Sequence, residues 1–393
     1  MASLPASAPG VWHTDRRLVL YGLALIVLFG ALFFIPNLVP PSTTTVVSTL
    51  AHGRITAVQP AANGNAPMAT VEVLDGPDAG SSVSALLQGP SSQLQLPDYR
   101  VGDEVVLSAD KQPGGPTTYT VIDRWRLPLL GILTGVFVLV AAAIAGWRGL
   151  RAVVSLVLAV GFTVRLLVPL LLLGYPPVPL AIVFGIAVTV LSFVLTQGIS
   201  RTTIAAIAGT TAGLLVTGAL AAVVSAAAQF TSAQGSEEVV TLGQIVGNRL
   251  DLSGLLLAAM IFGGLGVVND VAMSQAATVE ELAAVDPGLV PRQLFGRAMN
   301  VGVAHLAATI NTLVFAYLGT ALPLLVILAL QVSSFGAAVN QEVIAVEVVR
   351  TLVGSLGILA AVPLTTAIAA WWRPRAGTEL AELPVAADGS AGA

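Results

Sequence analysis

Long apolar runs separated by short polar breaks make up most of the chain. From residue 127 onward each run is about as long as a helix must be to cross a hydrocarbon core of about 30 Å. The runs predict spans at 127–146, 152–173, 178–197, 203–228, 252–272, 300–320 and 348–370. An earlier run at 18–35, after Arg16 and Arg17, predicts an anchor span at 18–40, with a cleaved signal peptide as the alternative. The pattern therefore predicts an all-α polytopic membrane bundle of about eight transmembrane helices.

Residues 42–124 follow a different pattern, with short runs rich in Val, Thr and Leu between Gly, Pro and Asn turns. Alternation of apolar and polar positions predicts β-strands, which we place at 43–50, 53–58, 69–74, 104–108 and 117–122. Several short strands joined by turns are typical of a small barrel, so we expect a small all-β domain with an OB-like barrel. It lacks clustered aromatic and basic residues, which argues against nucleic acid and favours a structural module or one that docks an envelope protein.

Composition strengthens the membrane assignment. The 393 residues are 55% hydrophobic and 10% charged, with a mean hydropathy of +0.88, whereas soluble domains contain about 25% charged residues. There is no cysteine, which excludes disulfides and thiolate catalysis. No nucleophile elbow, phosphate-binding loop or zinc-protease motif occurs, so we expect neither an enzyme nor a cofactor.

Positive charge predicts the orientation in the lipid bilayer. One side collects most of the arginines outside the first span, namely Arg148, Arg151, Arg201, Arg292, Arg297, Arg373 and Arg375. By the positive-inside rule this side is cytoplasmic. Residues 1–17 and a disordered tail at 374–393 then lie in the cytoplasm, the membrane domain covers 127–370, and the β domain is extracytoplasmic. Arg124, Arg126 and Arg249 are exceptions.

Residues 320–347 do not fit a simple series of spans, because the apolar run after Gly319 is short and contains Pro323. We expect a broken or re-entrant segment, which survives at membrane depth only where protein or water satisfies its backbone. The alternative is a full crossing, which would move Arg373 and Arg375 to the outer side.

Asp270 is the most informative candidate site residue, because a carboxylate within an apolar span is costly and usually functional. On a helix, Gly263, Gly266 and Ser274 fall near the same face as Asp270, which would allow a neighbouring helix to approach closely. The predicted end of this span at 272 places Asp270 near the cytoplasmic end of its helix. It is then part of an inner mouth of a pathway or of a helix-loop lock.

The span at 300–320 carries Asn300, His305 and Asn311 on two polar stripes, so we expect it in the centre of the bundle. His305 could relay protons or be a hydrogen-bonded core residue, and the asparagines could line a path or bond neighbouring helices. A cation site built from hard oxygen ligands is a further possibility, whose candidate ligands are Asp270, Asn269, Ser274, Asn300 and Asn311.

Glu347 and Arg350 are spaced for an ion pair at the start of the last span, either a helix-end lock or a gate. Gly354 and Gly357 continue as a smooth packing surface. Arg165 lies midway along its span and needs a partner, for which Asp270 and Glu347 are the candidates.

Three blocks of sequence resemble the YibE/F family of bacterial polytopic membrane proteins. They are Gly263-Gly-Leu-Gly-Val-Val-Asn-Asp-Val-Ala-Met-Ser274, Asn311-Thr-Leu-Val-Phe-Ala-Tyr-Leu-Gly-Thr-Ala-Leu-Pro-Leu-Leu325 and Glu347-Val-Val-Arg-Thr-Leu-Val-Gly-Ser-Leu-Gly-Ile-Leu-Ala-Ala-Val-Pro-Leu-Thr365. The resemblance covers about 127–370 and, more weakly, the anchor and the outer domain. It implies a polytopic membrane protein and brings no assigned substrate or activity. Asn269 departs from the family pattern, in which a hydrophobic residue often precedes the aspartate.

The sequence supports one leading hypothesis, a transporter or permease of a small solute or ion in the plasma membrane, with Asp270 as its central charge. The alternative is a non-transporting scaffold whose outer β domain docks an extracytoplasmic or envelope partner. A third hypothesis, an intramembrane enzyme that acts on lipid-linked substrates, lacks a recognisable nucleophile and base.

Overall fold

The computed structural model describes residues 47–59, 67–87, 98–111, 116–231, 237–247, 250–331 and 334–372. Contacts divide the chain at Gly146 into a barrel unit, Pro40–Gly146, and a membrane unit that continues from Trp147. The predicted anchor at 18–40 and the predicted termini at 1–17 and 374–393 lie outside the described residues. Arg249, Arg373 and Arg375 lie outside them as well.

The barrel unit contains a closed five-stranded barrel, which confirms the small all-β domain. Its strands are paired in the order β1-β2-β3-β5-β4, with β1 also paired to β4. All pairs are antiparallel except β3 with β5, which is parallel. The strands are β1 Val47–Gln59, β2 Met68–Val73, β3 Ser82–Leu87, β4 Glu104–Lys111 and β5 Thr117–Arg124.

Alternating apolar side chains fill the barrel, with Val71, Leu107 and Val121 fully buried. The two segments predicted at 43–50 and 53–58 contribute to one strand, β1, as far as the described residues show. Gly53 lies within this strand, and a Cβ there would be 2.5 Å from Val71 Cγ1, so the backbones can approach only because the residue is glycine. The sequence reasoning missed β3.

The described helices begin with α1 Leu127–Phe162, which a π-helical turn at Thr163–Leu167 joins to α2 Val168–Leu172. The remaining helices are α3 Pro177–Gln197, α4 Arg201–Ala228, α5 Glu237–Val246, α6 Leu252–Val285, α7 Pro291–Gln331, α8 Phe335–Val339 and α9 Glu342–Trp371. Within the described ranges, six helical stretches are long and apolar enough to cross a bilayer, with Leu127–Leu172 as one of them.

Six separate stretches are fewer than the seven spans predicted for this part of the chain. The spans predicted at 127–146 and 152–173 belong to one stretch, which is interrupted only at Gly146, where φ is 56° and ψ is −138°. Glycine tolerates a positive φ, so helix resumes directly after it. The interruption at Gly146 coincides with the end of the first predicted span, and the second arm begins directly after it rather than at 152.

The membrane unit is built around α4, α6 and α9, which pack against one another. Helix α3 packs against α4 and α6, and α7 packs against α6 and α9. Thr365 lies against Gly209 and Thr217 lies against Gly357, so α4 and α9 are antiparallel. Helices α6 and α7 are antiparallel as well, since Tyr317 lies against Gly263 and Gln275 lies against Gly302.

Helix α7 contradicts the predicted break. It runs without interruption through Gly319 and Pro323, and its 41 residues correspond to a length of about 60 Å. A proline removes one backbone hydrogen bond, which a long helix with stabilising neighbours tolerates. The short α8 then connects α7 to α9, and among the described residues 320–347 supply no separate crossing helix.

The expected central position of 300–320 is also wrong. Only one side of α7 is buried, and its buried positions include Gly302, Leu306 and Leu313. Asn300 and Asn311 are exposed, away from this buried side. The sequence showed that α7 carries two polar stripes, but not that one apolar face with a glycine is sufficient to fix the helix at the edge of the bundle.

Candidate functional site

Helix α6 carries most of the candidate residues and contacts α3, α4, α7 and α9. It begins at an N-cap, where the Asp251 carboxylate accepts a hydrogen bond of 2.9 Å from the Gly254 amide. It continues to Val285 rather than ending at 272, so Asp270 lies near the middle of the helix and not near its end. The site therefore rests on a continuous helix rather than on a loop.

Asn269 and Asp270 face different neighbours. Thr189 Oγ1 of α3 lies 2.9 Å from Asn269 Oδ1 and 2.8 Å from the Gly185 carbonyl oxygen, so its proton is shared between two acceptors. Asp270 is exposed on the adjacent face, and the His305 imidazole of α7 is near enough to interact with it electrostatically. The two residues therefore serve separate contacts, and Asn269 stabilises α3 against α6.

The other hydrophilic candidates in this region do not converge on Asp270. Ser274, Asn300 and Asn311 are exposed, and their side chains form no hydrogen bond within the described part of the chain. The neighbouring hydroxyls of α7 are used within that helix, since Thr309 donates to the carbonyl oxygen of His305. Of the candidate residues, His305 is therefore the one within electrostatic range of Asp270, and the two side chains form no hydrogen bond or ion pair with each other.

A second polar cluster joins α7 and α9. Arg350 Nη1 lies 2.8 Å from Glu347 Oε1, and both side chains are half-buried. Tyr317 of α7 lies near this pair, with its hydroxyl against Gly263 of α6. Gly263 and Asp270 are seven residues apart on α6, which is about 10 Å along the axis. The ion pair and Asp270 are therefore in separate places rather than in one cavity.

The predicted packing glycines have unequal surroundings. A Cβ on Gly263 would collide with the Tyr317 hydroxyl, and one on Gly357 would collide with Thr217. A Cβ on Gly354 would lie 3.4 Å from Leu313 Cδ2, which is ordinary packing contact. Gly266 has no atom within 4 Å of such a Cβ, so it takes no part in the close approach.

Arg165 lies in the π-helical turn and does not lack a partner. Neither of the two predicted carboxylates forms an ion pair with it: Glu347 pairs with Arg350, and Asp270 is in electrostatic range of His305. Helix α6 and its carboxylate are therefore not tied to this arginine.

Three buried polar side chains, Thr210, Gln275 and Thr365, form what we call the buried polar layer. Gln275 continues the polar face of the Asp270 segment in the sequence, whereas sequence reasoning missed Thr210 and Thr365. The hydroxyl and amide atoms of the layer have no hydrogen-bond partner within the described part of the chain. Thr365 lies against Gly209, and the contact of Gly213 with Val268 sets the level of α4 beside α6. This register places all three side chains within about two helical turns of one another along the bundle axis.

A cavity of about 210 Å³ opens at the end of the bundle where α4 begins and α6 and α9 approach their ends. We call it the vestibule. It is lined by Arg201, Thr202, Ala205, Ala276, Val279, Glu280, Ala369 and Trp372. Gly209 and Thr365 lie one turn deeper than Ala205 and Ala369. The vestibule therefore leads towards the buried polar layer, and its mouth carries one cation and one carboxylate.

Close packing ends this route on the far side of the layer. A Cβ on Gly213 would lie 3.0 Å from both Ala361 Cβ and Val268 Cγ1, and Gly357 abuts Thr217 one turn beyond. Even without side chains at the glycines, α4 and α9 leave no room between them. Among the described residues, no group of three or more His, Asp or Glu side chains is arranged to hold a metal ion.

A comparison with known protein families shows to which family the chain belongs. The family described as YibE/F-like protein matches residues 133–375, which is more than half of the chain. The chain belongs to the YibE/F-like family. No curated protein and no solved structure matches it.

The YibE/F-like region includes every helix from α2 to α9 and most of α1. Asp270, His305, the Glu347 and Arg350 pair and the buried polar layer all fall within it. The barrel strands lie before it. The family assignment therefore concerns the membrane unit and not the barrel strands.

Proposed function

We propose that this YibE/F-like protein is a permease of the bacterial plasma membrane that moves a small solute or ion between α4, α6 and α9 without a catalytic step. The buried polar layer carries this proposal. A buried donor or acceptor that is left unpaired costs about 1–3 kcal/mol, and water or a polar solute that reaches Thr210, Gln275 and Thr365 removes that cost. The vestibule lies one turn from the layer and gives such a solute an entrance.

Charge along the bundle supports a cytoplasmic vestibule. Arg201 lies at its mouth, and Arg292 and Arg297 lie at the start of α7 at the same end of the bundle. Positive charge of this kind favours the cytoplasmic side. In this orientation the barrel lies outside the cell, and both chain termini lie inside it.

This orientation requires the stretch Leu127–Leu172 to cross the bilayer twice, because α3 then returns the chain to the cytoplasm, where α4 begins. Each arm of the stretch, 127–145 and 147–172, has the length of about one crossing. Gly146, with its positive φ, supplies the point where the chain can turn. Arg148 and Arg151 follow this turn and favour a cytoplasmic position for it.

The closed side of the layer suggests how transport proceeds. Gly213, Ala361 and Val268 are packed closely enough to block a solute. A shift of α4 against α9 would open this side, since glycine contacts offer smooth surfaces for sliding. Alternating access at one fixed polar layer is the mechanism that this arrangement favours.

Asp270 and His305 provide the charge for coupling in this proposal. The Asp270 carboxylate lies within electrostatic range of His305, and a carboxylate inside an apolar span is the type of group that carries protons in transporters. Helix α6 carries Asp270 as well as Gln275, which belongs to the buried polar layer. Protonation of the pair would change the packing of α6 against α7. We therefore propose proton-coupled movement of the solute.

The test uses the full-length protein in proteoliposomes with an internal pH-sensitive dye, under an imposed membrane potential. We expect Asp270→Asn to lower proton flux at least tenfold. Asp251→Asn is the matched control, since asparagine also caps a helix and this position lies at the start of α6. In parallel, metabolite and metal profiling of a deletion strain identifies the solute for flux assays with Thr365→Val.

Wild-type proton flux in Asp270→Asn would remove that residue from the mechanism. If solute flux were also unchanged in Thr365→Val and Gln275→Leu, the route through the buried polar layer would be wrong. A fall that is as large in Asp251→Asn as in Asp270→Asn would indicate a folding defect rather than a role in coupling.

A second candidate function is a scaffold that docks an envelope protein through the barrel. Exposed apolar side chains on the barrel favour it, since Leu50 and Val101 are each more than 60% exposed. Deletion of residues 45–122 would then abolish the cellular function, whereas Asp270→Asn would mainly lower the yield of folded protein.

A further inference from the structure

A second cavity lies between α7 and α9, away from the buried polar layer. This α7–α9 cleft has a volume of about 270 Å³. Its walls are apolar except for Tyr317, Glu347 and Thr351, and its rim includes Leu318 and Leu352, which are exposed. The cleft therefore opens sideways from the helices, towards the region that lipid occupies around a membrane protein.

One carboxylate oxygen is available in the cleft. Glu347 Oε1 accepts a hydrogen bond from Arg350 at 2.8 Å, while Oε2 has no hydrogen-bond partner among the residues that the structure describes. The side chain of Glu347 remains 26% exposed. Arg350 itself does not line the cleft. The ion pair thus orients Glu347 and leaves one of its oxygens for a ligand.

Tyr317 presents its ring rather than its hydroxyl. The hydroxyl is buried against Gly263 of α6 and has no partner in the described part of the chain, while the residue lines the cleft. The Thr351 hydroxyl donates to the Glu347 carbonyl oxygen at 2.8 Å and can still accept. An aromatic ring and an acceptor carboxylate in an apolar cleft are the groups that recognise an organic cation.

We propose that the α7–α9 cleft binds an organic monocation with an apolar body, whose ammonium group lies against Glu347 and the Tyr317 ring. The apolar walls contact the body of the ligand and discriminate against small inorganic cations, which cannot replace their hydration there. The chemistry fits two sources, a free lipophilic cation and the ammonium headgroup of a lipid. The site does not depend on the transport proposal, because it shares no residue with the vestibule or the buried polar layer.

Equilibrium dialysis of the full-length protein in nanodiscs of phosphatidylglycerol, which has no ammonium group, tests the site. The probe is radiolabelled benzyltrimethylammonium, and neopentylbenzene is its neutral counterpart of the same shape. We expect saturable binding of the cation, weak competition by the neutral compound, and at least a tenfold loss of affinity in Glu347→Gln. Tyr317→Leu removes the cation–π contact and should weaken binding by about threefold to tenfold.

Two further variants separate binding from folding. Leu352→Trp fills the mouth of the cleft but leaves the ion pair in place, and it should also abolish saturable binding. Glu342→Gln is the matched control, because Glu342 lies on the same helix, outside the cleft, and accepts a hydrogen bond from the Thr231 amide. It should bind the probe like the wild type.

The lipid composition distinguishes the two sources of the cation. Weaker probe binding in discs that contain phosphatidylethanolamine assigns the lipid headgroup as the occupant, whereas equal binding assigns a free cation; both support the site. Absence of saturable binding in phosphatidylglycerol discs, equal competition by neopentylbenzene, or wild-type binding in both Glu347→Gln and Leu352→Trp would overturn the proposal.

Discussion

At the scale of single residues, glycine and threonine meet across the closest helix contacts of the membrane unit. Gly209 of α4 meets Thr365 of α9, and Gly357 of α9 meets Thr217 of α4. Thr217 donates to the Gly213 carbonyl oxygen of its own helix at 2.8 Å, so it packs without an unpaired hydroxyl. Thr365 has no such partner among the described residues. The threonine hydroxyl is therefore hydrogen-bonded in one contact and unpaired among the described residues in the other. Only the second contact belongs to the buried polar layer.

These contacts predict that an added methyl group destabilises the protein at one glycine and not at another. Gly357→Ala should lower the stability of the protein by about 1–3 kcal/mol, because the added methyl group collides with Thr217 in a closely packed interface. Gly266→Ala is the matched control: its Cβ meets no atom within 4 Å, and alanine favours a helix by up to about 1 kcal/mol. Thermal unfolding in detergent should give a lower Tm for Gly357→Ala and an unchanged or higher Tm for Gly266→Ala. Equal Tm values for the two variants would contradict the packing described here.

At the scale of elements, the sequence predicted most helices but not their partners. Apolar runs marked α3, α4, α6, α7 and α9, since each needs a long apolar segment. Periodicity could not tell that Asn300 and Asn311 lie away from the bundle, because that depends on which face α6 and α9 contact. Thr210 and Thr365 of the buried polar layer were missed for a similar reason: threonine is common in membrane helices and becomes informative only when burial and register are known.

The barrel was also only partly predictable from local sequence patterns. Alternation in β3 places Ala85 and Leu87 in the core, with Val83 partly buried beside them. This signal was present in the sequence, but small residues and serines made it weak. The parallel pairing of β3 with β5 depends on a connection between distant parts of the chain, which local patterns do not encode.

Strands β1 and β4 give rise to a prediction about pH. Glu104 lies opposite Arg54, with Glu104 Oε1 3.0 Å from Arg54 Nη2, and its other oxygen lies 3.3 Å from His52 Nε2. The hydrogen bond from Arg54 holds the pKa of Glu104 below its ordinary value of 4.5. The pair therefore stabilises the folded barrel above about pH 4.5, and this contribution is lost as the pH falls through the lower folded pKa.

We expect Glu104→Gln to make the stability of the barrel less dependent on pH between about pH 6 and pH 3. Trp125 stacks on His52 with ring centroids 4.1 Å apart, so fluorescence of a variant that retains only this tryptophan reports on the region. Glu72→Gln is the matched control, since Glu72 forms no ion pair among the described residues of the barrel. Identical acid titrations of Glu104→Gln and the wild type would show that the pair has no such effect.

At the scale of the whole molecule, the YibE/F-like helices and the barrel raise different questions. The family match covers the helices and leaves out the barrel strands. The transport proposal belongs to the membrane unit, whereas docking of an envelope partner belongs to the barrel. Orientation connects the two hypotheses: if the stretch Leu127–Leu172 crosses the bilayer twice, the vestibule and the barrel lie on opposite sides, and if it crosses once they lie on the same side.

The absence of cysteine from the chain makes this orientation directly measurable. A single cysteine introduced as Ser84→Cys reports on the barrel, and one introduced as Glu281→Cys reports on the α6 end near the vestibule; both positions are exposed. In intact spheroplasts, a membrane-impermeant maleimide should label the first variant and not the second. After permeabilisation both should be labelled, and the cysteine-free parent should remain unlabelled throughout.

Two other labelling patterns would contradict this orientation, each for a different reason. Labelling of both variants in intact spheroplasts would mean that the stretch Leu127–Leu172 crosses only once and that Gly146 is not a turn between two crossings. Labelling of Glu281→Cys alone would mean that the whole molecule has the opposite orientation in the membrane. Either result places Arg201 and the start of α7 outside the cell, against the positive-inside rule, so the charge argument for a cytoplasmic vestibule would be wrong.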